Sequence, residues 1–249
     1  MLICVDGTGP WSDAEYAIEF RYSFVRELYR TSILSGRHYW RGPSMLGLEV
    51  TRIVNGVMDV VRSGVTAGDL EVHLTGYSRG GHTVIEIAQE IAEASWARSV
   101  TVPTMTLFDA VDRDILNETD EIPGNVGYVF HALRSPEIGS RSSFGNTGRT
   151  YARGVNYSER VFRGTHAALG GTPWTGDHPT ETVILPVGTR PSRPFISQRA
   201  VSRSGMRGEF EDPMIAYEVP TIDEATDRQA SSEVHDWIWG HLRTHNVVS

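Results

Sequence analysis

The chain has 249 residues, which suits one α/β domain with insertions or at most two small ones. Hydrophobic residues at 39% and charged residues at 22% describe a soluble globular protein with a sizeable core. The net charge of −8 excludes a basic nucleic-acid footprint, and no apolar run approaches the length of a membrane span.

Residues 2–5 read as a short apolar strand that meets Asp6 too soon for a signal peptide. The expectation is therefore a cytoplasmic protein, or one exported without a cleavable signal. Cys4 is the single cysteine, so an intrachain disulfide is excluded, and it reads as a small core residue. The strand runs into the small-residue loop Asp6-Gly7-Thr8-Gly9. Ser12 and Glu15 have capping-box spacing, which starts a helix. Ala17, Phe20, Phe24, Val25 and Leu28 recur on one helical face. A loop carrying Tyr39, Trp40, Arg41 and Gly42 follows. The next helix is expected over residues 44–63, with Leu46, Val50, Ile53, Val57 and Val60 inward and Gly64 as its C-terminal cap.

Residues 71–75 read as a strand leading into Gly76-Tyr77-Ser78-Arg79-Gly80-Gly81. Val84, Ile87, Ala88 and Ile91 then mark the buried stripe of a helix. Strand, Gly-x-Ser-x-Gly and helix together form the context of a nucleophile elbow. The flanking glycines remove Cβ atoms that would collide in so tight a turn. The turn sets the Ser78 hydroxyl at a helix N-terminus, whose partial positive charge favours an oxyanion.

Residues 105–108 form a strand ending at Asp109-Ala110-Val111-Asp112. Residues 126–132 form another, ending near His131, and 159–163 a third, leading into Gly164-Thr165-His166. Residues 167–226 are rich in Gly, Pro, Thr, Ser and Arg and predict loops and short strands. A terminal helix is expected from residue 231, with Val234, Trp237, Ile238 and Leu242 inward. The alternation predicts an α/β fold with a mainly parallel sheet and helices on both faces, and the elbow within it is what an α/β-hydrolase-like fold carries. One domain covers 1–249, with 167–230 as a loop-rich cap or insertion. In such sheets the site gathers at the carboxyl ends of strands, where Asp6, Ser78, Asp109, His131 and His166 all fall.

A serine hydroxyl needs a base within hydrogen-bond reach and a third group to orient that base. Of nine histidines, His73 lies inside a strand and His82 one turn into a helix. His235, His241 and His245 share the last helix without ligand spacing and read as solvated, and His38 and His178 sit in loops. That leaves His131 and His166, with His166 favoured by its small neighbours and the trailing Gly170-Gly171. Asp109 is the first choice of acid and Asp112, on the same loop, the second. The order Ser78, Asp109, His166 is that of α/β hydrolases. The oxyanion hole would take the Arg79 backbone N–H and a donor from Gly7 or Thr8, with Asp6 bracing the loop.

At these motifs the chain resembles the α/β-hydrolase domain family typified by the catalytic domain of bacterial type VI secretion phospholipase effectors. Asp6-Gly7-Thr8 ends the first strand, and Gly76-Tyr77-Ser78-Arg79-Gly80-Gly81 is similar to the family's Gly-Phe-Ser-Arg-Gly-Ala. Phe108-Asp109-Ala110-Val111 resembles its Trp-Asp-Thr-Val. His131-Ala132 with Arg141 and Phe144, and Gly164-Thr165-His166 with Gly170-Gly171, complete the ordered match over the first two-thirds of the chain. The resemblance implies Ser78 as nucleophile, Asp109 as acid and His166 as base, with His131 as a supporting or substrate-side residue. Two positions depart from the family: Ala168 replaces an acidic residue, and Ser135-Pro136-Glu137 replaces an Asp-Glu pair.

The expectation is a serine ester hydrolase working through an acyl-enzyme, a phospholipase or lipase first. A thioesterase, amidase or acyltransferase with the same triad, or a non-catalytic binding module, is the alternative. No cofactor or metal is expected, and the partner is an ester or lipid substrate. Peripheral membrane contact would call for an apolar patch at the site, with Tyr39, Trp40 and Trp174 as candidates. Oligomeric state is not legible.

Overall fold

The computed structural model describes residues 1–44, 49–111, 121–136, 138, 147–173, 180–190, 197–201, 214–220 and 222–249. Leu46, Asp112, Glu137, Arg141, Phe144, Trp174 and His178, all named above, lie outside the described residues.

In chain order the elements are β1 (Leu2–Val5), α1 (Asp13–Glu19), α2 (Phe24–Thr31), β2 (Arg37–Trp40), α3 (Val50–Thr66), β3 (His73–Tyr77) and α4 (Arg79–Glu93). There follow β4 (Val102–Phe108), β5 (Glu121–Ile122), β6 (Val126–Arg134), β7 (Thr150–Tyr151), β8 (Asn156–Phe162) and α5 (His166–Leu169). The last are β9 (Thr180–Pro186), β10 (Ser197–Val201), β11 (Met214–Pro220) and α6 (Glu224–Thr244).

Six strands pair in the order β2-β1-β3-β4-β6-β8, every pair parallel. Successive side chains of a strand point to opposite faces, and here both faces are apolar. Ile3, Val5, Leu74, Met105, Leu107 and Val129 meet one core, built with Ile53, Val57 and Val61 of α3 and Val84, Ile87 and Ile91 of α4. Leu2, Cys4, Phe108, Phe130 and Ala132 meet the other, with Phe24 and Leu28 of α2 and Val234, Ile238 and Leu242 of α6. Helices on both faces follow from that double burial. Cys4 is fully buried, as read from the sequence.

Several boundaries move. The helical face expected through residue 28 is broken into α1 and α2, because Ser23 accepts the Arg26 N–H and caps a new helix. Ala17 is exposed in consequence, and Tyr16 takes the buried place. Residues 37–40 form the edge strand β2 rather than a loop. α3 passes through Gly64 and ends at a cap on Ala67, and Gly68 then adopts the left-handed conformation at φ +89°. α6 begins at Glu224, capped by the Asp223 side chain, seven residues before the expected start. Its first two turns are helix-forming but mostly polar, so apolar spacing marks them poorly.

The histidines of that last helix and its cap are half-buried and packed on aromatic rings rather than fully solvated. His235 stacks on Trp239 at 4.0 Å, His241 on Phe130 at 4.3 Å, and His245 lies 4.4 Å from Tyr128. Within the region read as loops and short strands, β9, β10 and β11 form a three-stranded antiparallel sheet. Among the described residues, no helix is long and apolar enough to cross a membrane.

Candidate active site

The register aligns the carboxyl ends of the central strands. Val5 pairs with Gly76, Tyr77 with Phe108, Phe108 with Ala132, and Arg134 with Phe162. Asp6, Ser78, Asp109 and the segment after β8 therefore leave the sheet along one edge.

Ser78 joins β3 directly to α4 at φ 56° and ψ −127°, a conformation rarely taken by a residue with a side chain. Two glycines permit the turn. A Cβ on Gly76 would lie 2.3 Å from the Gly80 carbonyl oxygen, and one on Gly80 2.2 Å from that of Val5. Ser78 heads α4 without capping it through its side chain, and its hydroxyl meets His166 Nε2 at 2.9 Å. His166 Nδ1 lies 2.6 Å from Asp109 Oδ2. Ser78, His166 and Asp109 are thus brought together from positions separated by 88 and 57 residues. All three are buried, at 3%, 5% and 0% exposure.

Each partner is fixed by its own element. Asp109 follows β4 at φ 44°, with its N–H bonded to the Ala132 carbonyl. His166 opens the short helix α5, capped by Thr165, whose N–H and hydroxyl donate to Asp227 of α6 at 2.7 and 3.0 Å. Tyr77 stacks on the imidazole at 4.9 Å and donates its hydroxyl to the His166 carbonyl at 3.0 Å. Gly170 lets this segment close on Tyr77, since a Cβ there would sit 2.5 Å from the ring.

Burial pushes the Asp109 carboxyl up, but the hydrogen bond and charge of His166 and the charge of Arg134 more than offset it. The net position is below the ordinary carboxylate value. Asp109 is thus held ionised beside the imidazole. The arrangement can move a proton from a serine hydroxyl to an imidazole and stabilise the resulting charge.

Arg134 was not anticipated. Its Nη1 lies 2.6 Å from Asp109 Oδ2 and 3.3 Å from His166 Nδ1. Strand-end position would have found it, but the sequence pattern ended that strand at residue 132. β6 continues to Arg134, so the arginine rather than His131 occupies the sheet edge.

His131 sits inside the strand, fully buried, and burial lowers its pKa to about 4. Its Nε2 accepts the Ala110 N–H at 3.3 Å, and its Nδ1 lies 3.1 Å from the Tyr157 hydroxyl. It supports the loop that bears Asp109. Asp112 lies outside the described residues.

On the other flank, Asp6 accepts from the Gly7 N–H at 3.1 Å, the Ser23 hydroxyl at 2.5 Å and the Tyr39 hydroxyl at 3.0 Å. Burial outweighs these donors and raises its pKa to about 6. Asp6 braces the loop, in line with the sequence reading. The Gly7 N–H is given to Asp6, which leaves Thr8 as the donor of interest on that loop. Among the described residues, the buried Thr8 hydroxyl has no hydrogen-bond partner. Gly7 packs against the serine, where a Cβ would lie 3.2 Å from that of Ser78. The Arg79 side chain turns away to the Ser44 carbonyl at 3.0 Å. Tyr39 and Trp40 are half-buried, whereas Trp11, Ile18 and Tyr22 are exposed.

No protein-family model matches the chain, and no curated protein matches its sequence. Among solved structures, it is similar to the RedJ thioesterase of the prodiginine biosynthetic pathway in Streptomyces coelicolor. The identity is 14% and the TM-score 0.37, over 69% of this chain and 80% of that one. It is also similar to a Xanthomonas campestris pv. campestris protein assigned to the alpha/beta hydrolase superfamily. Here the identity is 12% and the TM-score 0.36, over 64% of this chain and 86% of that one. Both likenesses are too loose to bear on activity. The parallel sheet, the helices on both its faces and the serine turn between β3 and α4 make this an α/β-hydrolase-like fold.

Proposed function

We propose that the protein is a serine hydrolase that cleaves carboxylic esters through an acyl-enzyme. The observation that carries this reading is the continuous relay from Ser78 Oγ through His166 to Asp109, at 2.9 and 2.6 Å, on a strained turn heading α4. In the first half-reaction Ser78 Oγ attacks the ester carbonyl while His166 Nε2 takes its proton. Asp109 stabilises the imidazolium, which then protonates the departing alcohol. A water molecule, deprotonated by the same imidazole, attacks the acyl-enzyme and releases the acid. The Arg79 N–H and Thr8 serve as oxyanion donors in this scheme, and each such donor contributes about 3–4 kcal/mol in comparable sites.

Lipid esters, glycerophospholipids first, are the substrate class to examine, on the strength of the motif resemblance at Asp6-Gly7-Thr8 and Gly76-Tyr77-Ser78-Arg79-Gly80. Turnover on glycerophospholipids, short acyl esters and acyl thioesters, compared between the native protein and Ser78→Ala, tests the reading. It requires hydrolysis of an ester class that vanishes in the variant. Equal turnover with and without the serine would refute it, and a strong preference for thioesters would reassign the substrate.

A further inference from the structure

We propose that Arg134 is a positioning residue that aims the Asp109 carboxylate and lowers the basicity of His166. The proposal rests on the assignment of Ser78 and His166 made above.

One residue grips both carboxylate oxygens. The Arg134 backbone N–H donates to Oδ1 at 3.3 Å, and its Nη1 donates to Oδ2 at 2.6 Å. The same Oδ2 faces His166 Nδ1 at 2.6 Å, and Nη1 and Nδ1 are 3.3 Å apart. Arginine and imidazole therefore share one acceptor atom. A Ser–His–Asp relay in itself requires only the carboxylate. The cation is an addition, and it is neither loose nor solvated. Its side chain is 7% exposed, Asp109 is fully buried, and Arg134 is held in β6 by its pairing with Phe162 of β8.

Two effects follow. The clamp removes freedom from a carboxylate that must stay in line with Nδ1. The charge opposes a second positive charge arriving on the neighbouring ring, in surroundings that screen poorly. A lone carboxylate would raise the basicity of the imidazole, and the guanidinium cancels part of that rise. His166 then stays neutral, and able to accept the Ser78 proton, to a lower pH.

Among the described residues, the other groups around the ring serve different ends. From β3, Tyr77 stacks on the imidazole and bonds the backbone of His166. From α6, Asp227 reaches Thr165, the residue before it. From inside β6, His131 bonds the Ala110 N–H and is kept neutral by burial. Among the described residues, Asp109 and Arg134 press charged atoms against the ring nitrogen.

The test is a titration of the His166 ring by NMR in the native protein, Arg134→Lys, Arg134→Met and Arg134→Gln. His166→Asn assigns the resonance, and circular dichroism checks that each variant is folded. Arg134→Lys keeps the charge and should hold the midpoint within about 0.3 pH unit. Arg134→Met, and Arg134→Gln with its uncharged donor, should each raise it by about one unit or more. The acid limb of kcat/KM should move by the same amount, with kcat falling and KM little changed. An unmoved or lowered midpoint in a folded neutral variant overturns the proposal, and if methionine fails to fold the glutamine variant decides. A ring that titrates as expected in a protein without Ser78-dependent turnover would leave this inference standing and refute the ester chemistry. An unmoved ring beside intact Ser78-dependent turnover would do the reverse.

Discussion

Ser78 and Asp109 both carry positive φ, at 56° and 44°, and neither is a glycine. Such conformations cost about 1–3 kcal/mol each and persist where the surroundings enforce them. Here the enforcement comes from Gly76, Gly80 and the pairing of β3 with β4. Strain of this kind places two side chains on the sheet edge facing one imidazole. Replacing Asp109 with Asn should leave the ring without a charge partner and reduce kcat about 10⁴-fold, read by steady-state kinetics on the best ester. The buried carboxylates of Asp109 and Asp6 also give stability opposite pH slopes. Asp109 is depressed when folded, so its contribution is present above the unfolded value near 3.8 and is lost as pH falls through the folded one. Asp6 is raised to about 6, so its contribution is present below 3.8 and is lost as pH rises through about 6. Asp6→Asn should therefore cost roughly 2 kcal/mol less at pH 7.5 than at pH 4.5, measured by urea unfolding at both. Ser78, Asp109 and His166 were legible because glycine punctuation and strand ends mark them in one dimension. Arg134 was not, since a single charged residue closing a strand, here after the buried Leu133, reads in one dimension as the start of a loop.

At the scale of elements, the imidazole depends on a contact between two helices. Asp227 of α6 accepts both the N–H and the hydroxyl of Thr165, which caps α5. Asp227→Ala should leave a buried N–H unpaired and cost about 1–3 kcal/mol in chemical denaturation. It should also lower kcat more than it raises KM, because the base moves while the rest of the site does not. The elbow glycines are more exacting. Gly80→Ala would force a methyl to 2.2 Å from the Val5 carbonyl oxygen, and a loss of about 3 kcal/mol or more is expected in the same assay. Sequence spacing read β1, α4 and the end of β4 well, because their apolar residues are dense and both sides are buried. It started β4 three residues late, at 105 rather than Val102. It joined α1 to α2, since a shared apolar face hides a break that Ser23 makes by capping the second helix and bonding Asp6. It started α6 late because the first two turns are mostly polar.

Across the whole molecule, the site exists only in the folded chain. Its parts leave β1, β3, β4, β6 and the segment after β8, and nothing local holds them together. The parallel sheet was legible because two-sided burial writes nearly continuous apolar strands. The antiparallel sheet of β9, β10 and β11 was not, because its pairing is set by register rather than by any strong apolar run. The central claim is that this edge turns an ordinary serine into a nucleophile, and covalent capture tests it most directly. A fluorophosphonate probe, followed by mass spectrometry of the labelled peptide, should modify Ser78 in the folded protein. Labelling should fall at least a hundredfold in His166→Ala and disappear in Ser78→Ala. A folded native protein that stays unlabelled, or one labelled equally without His166, would contradict the account.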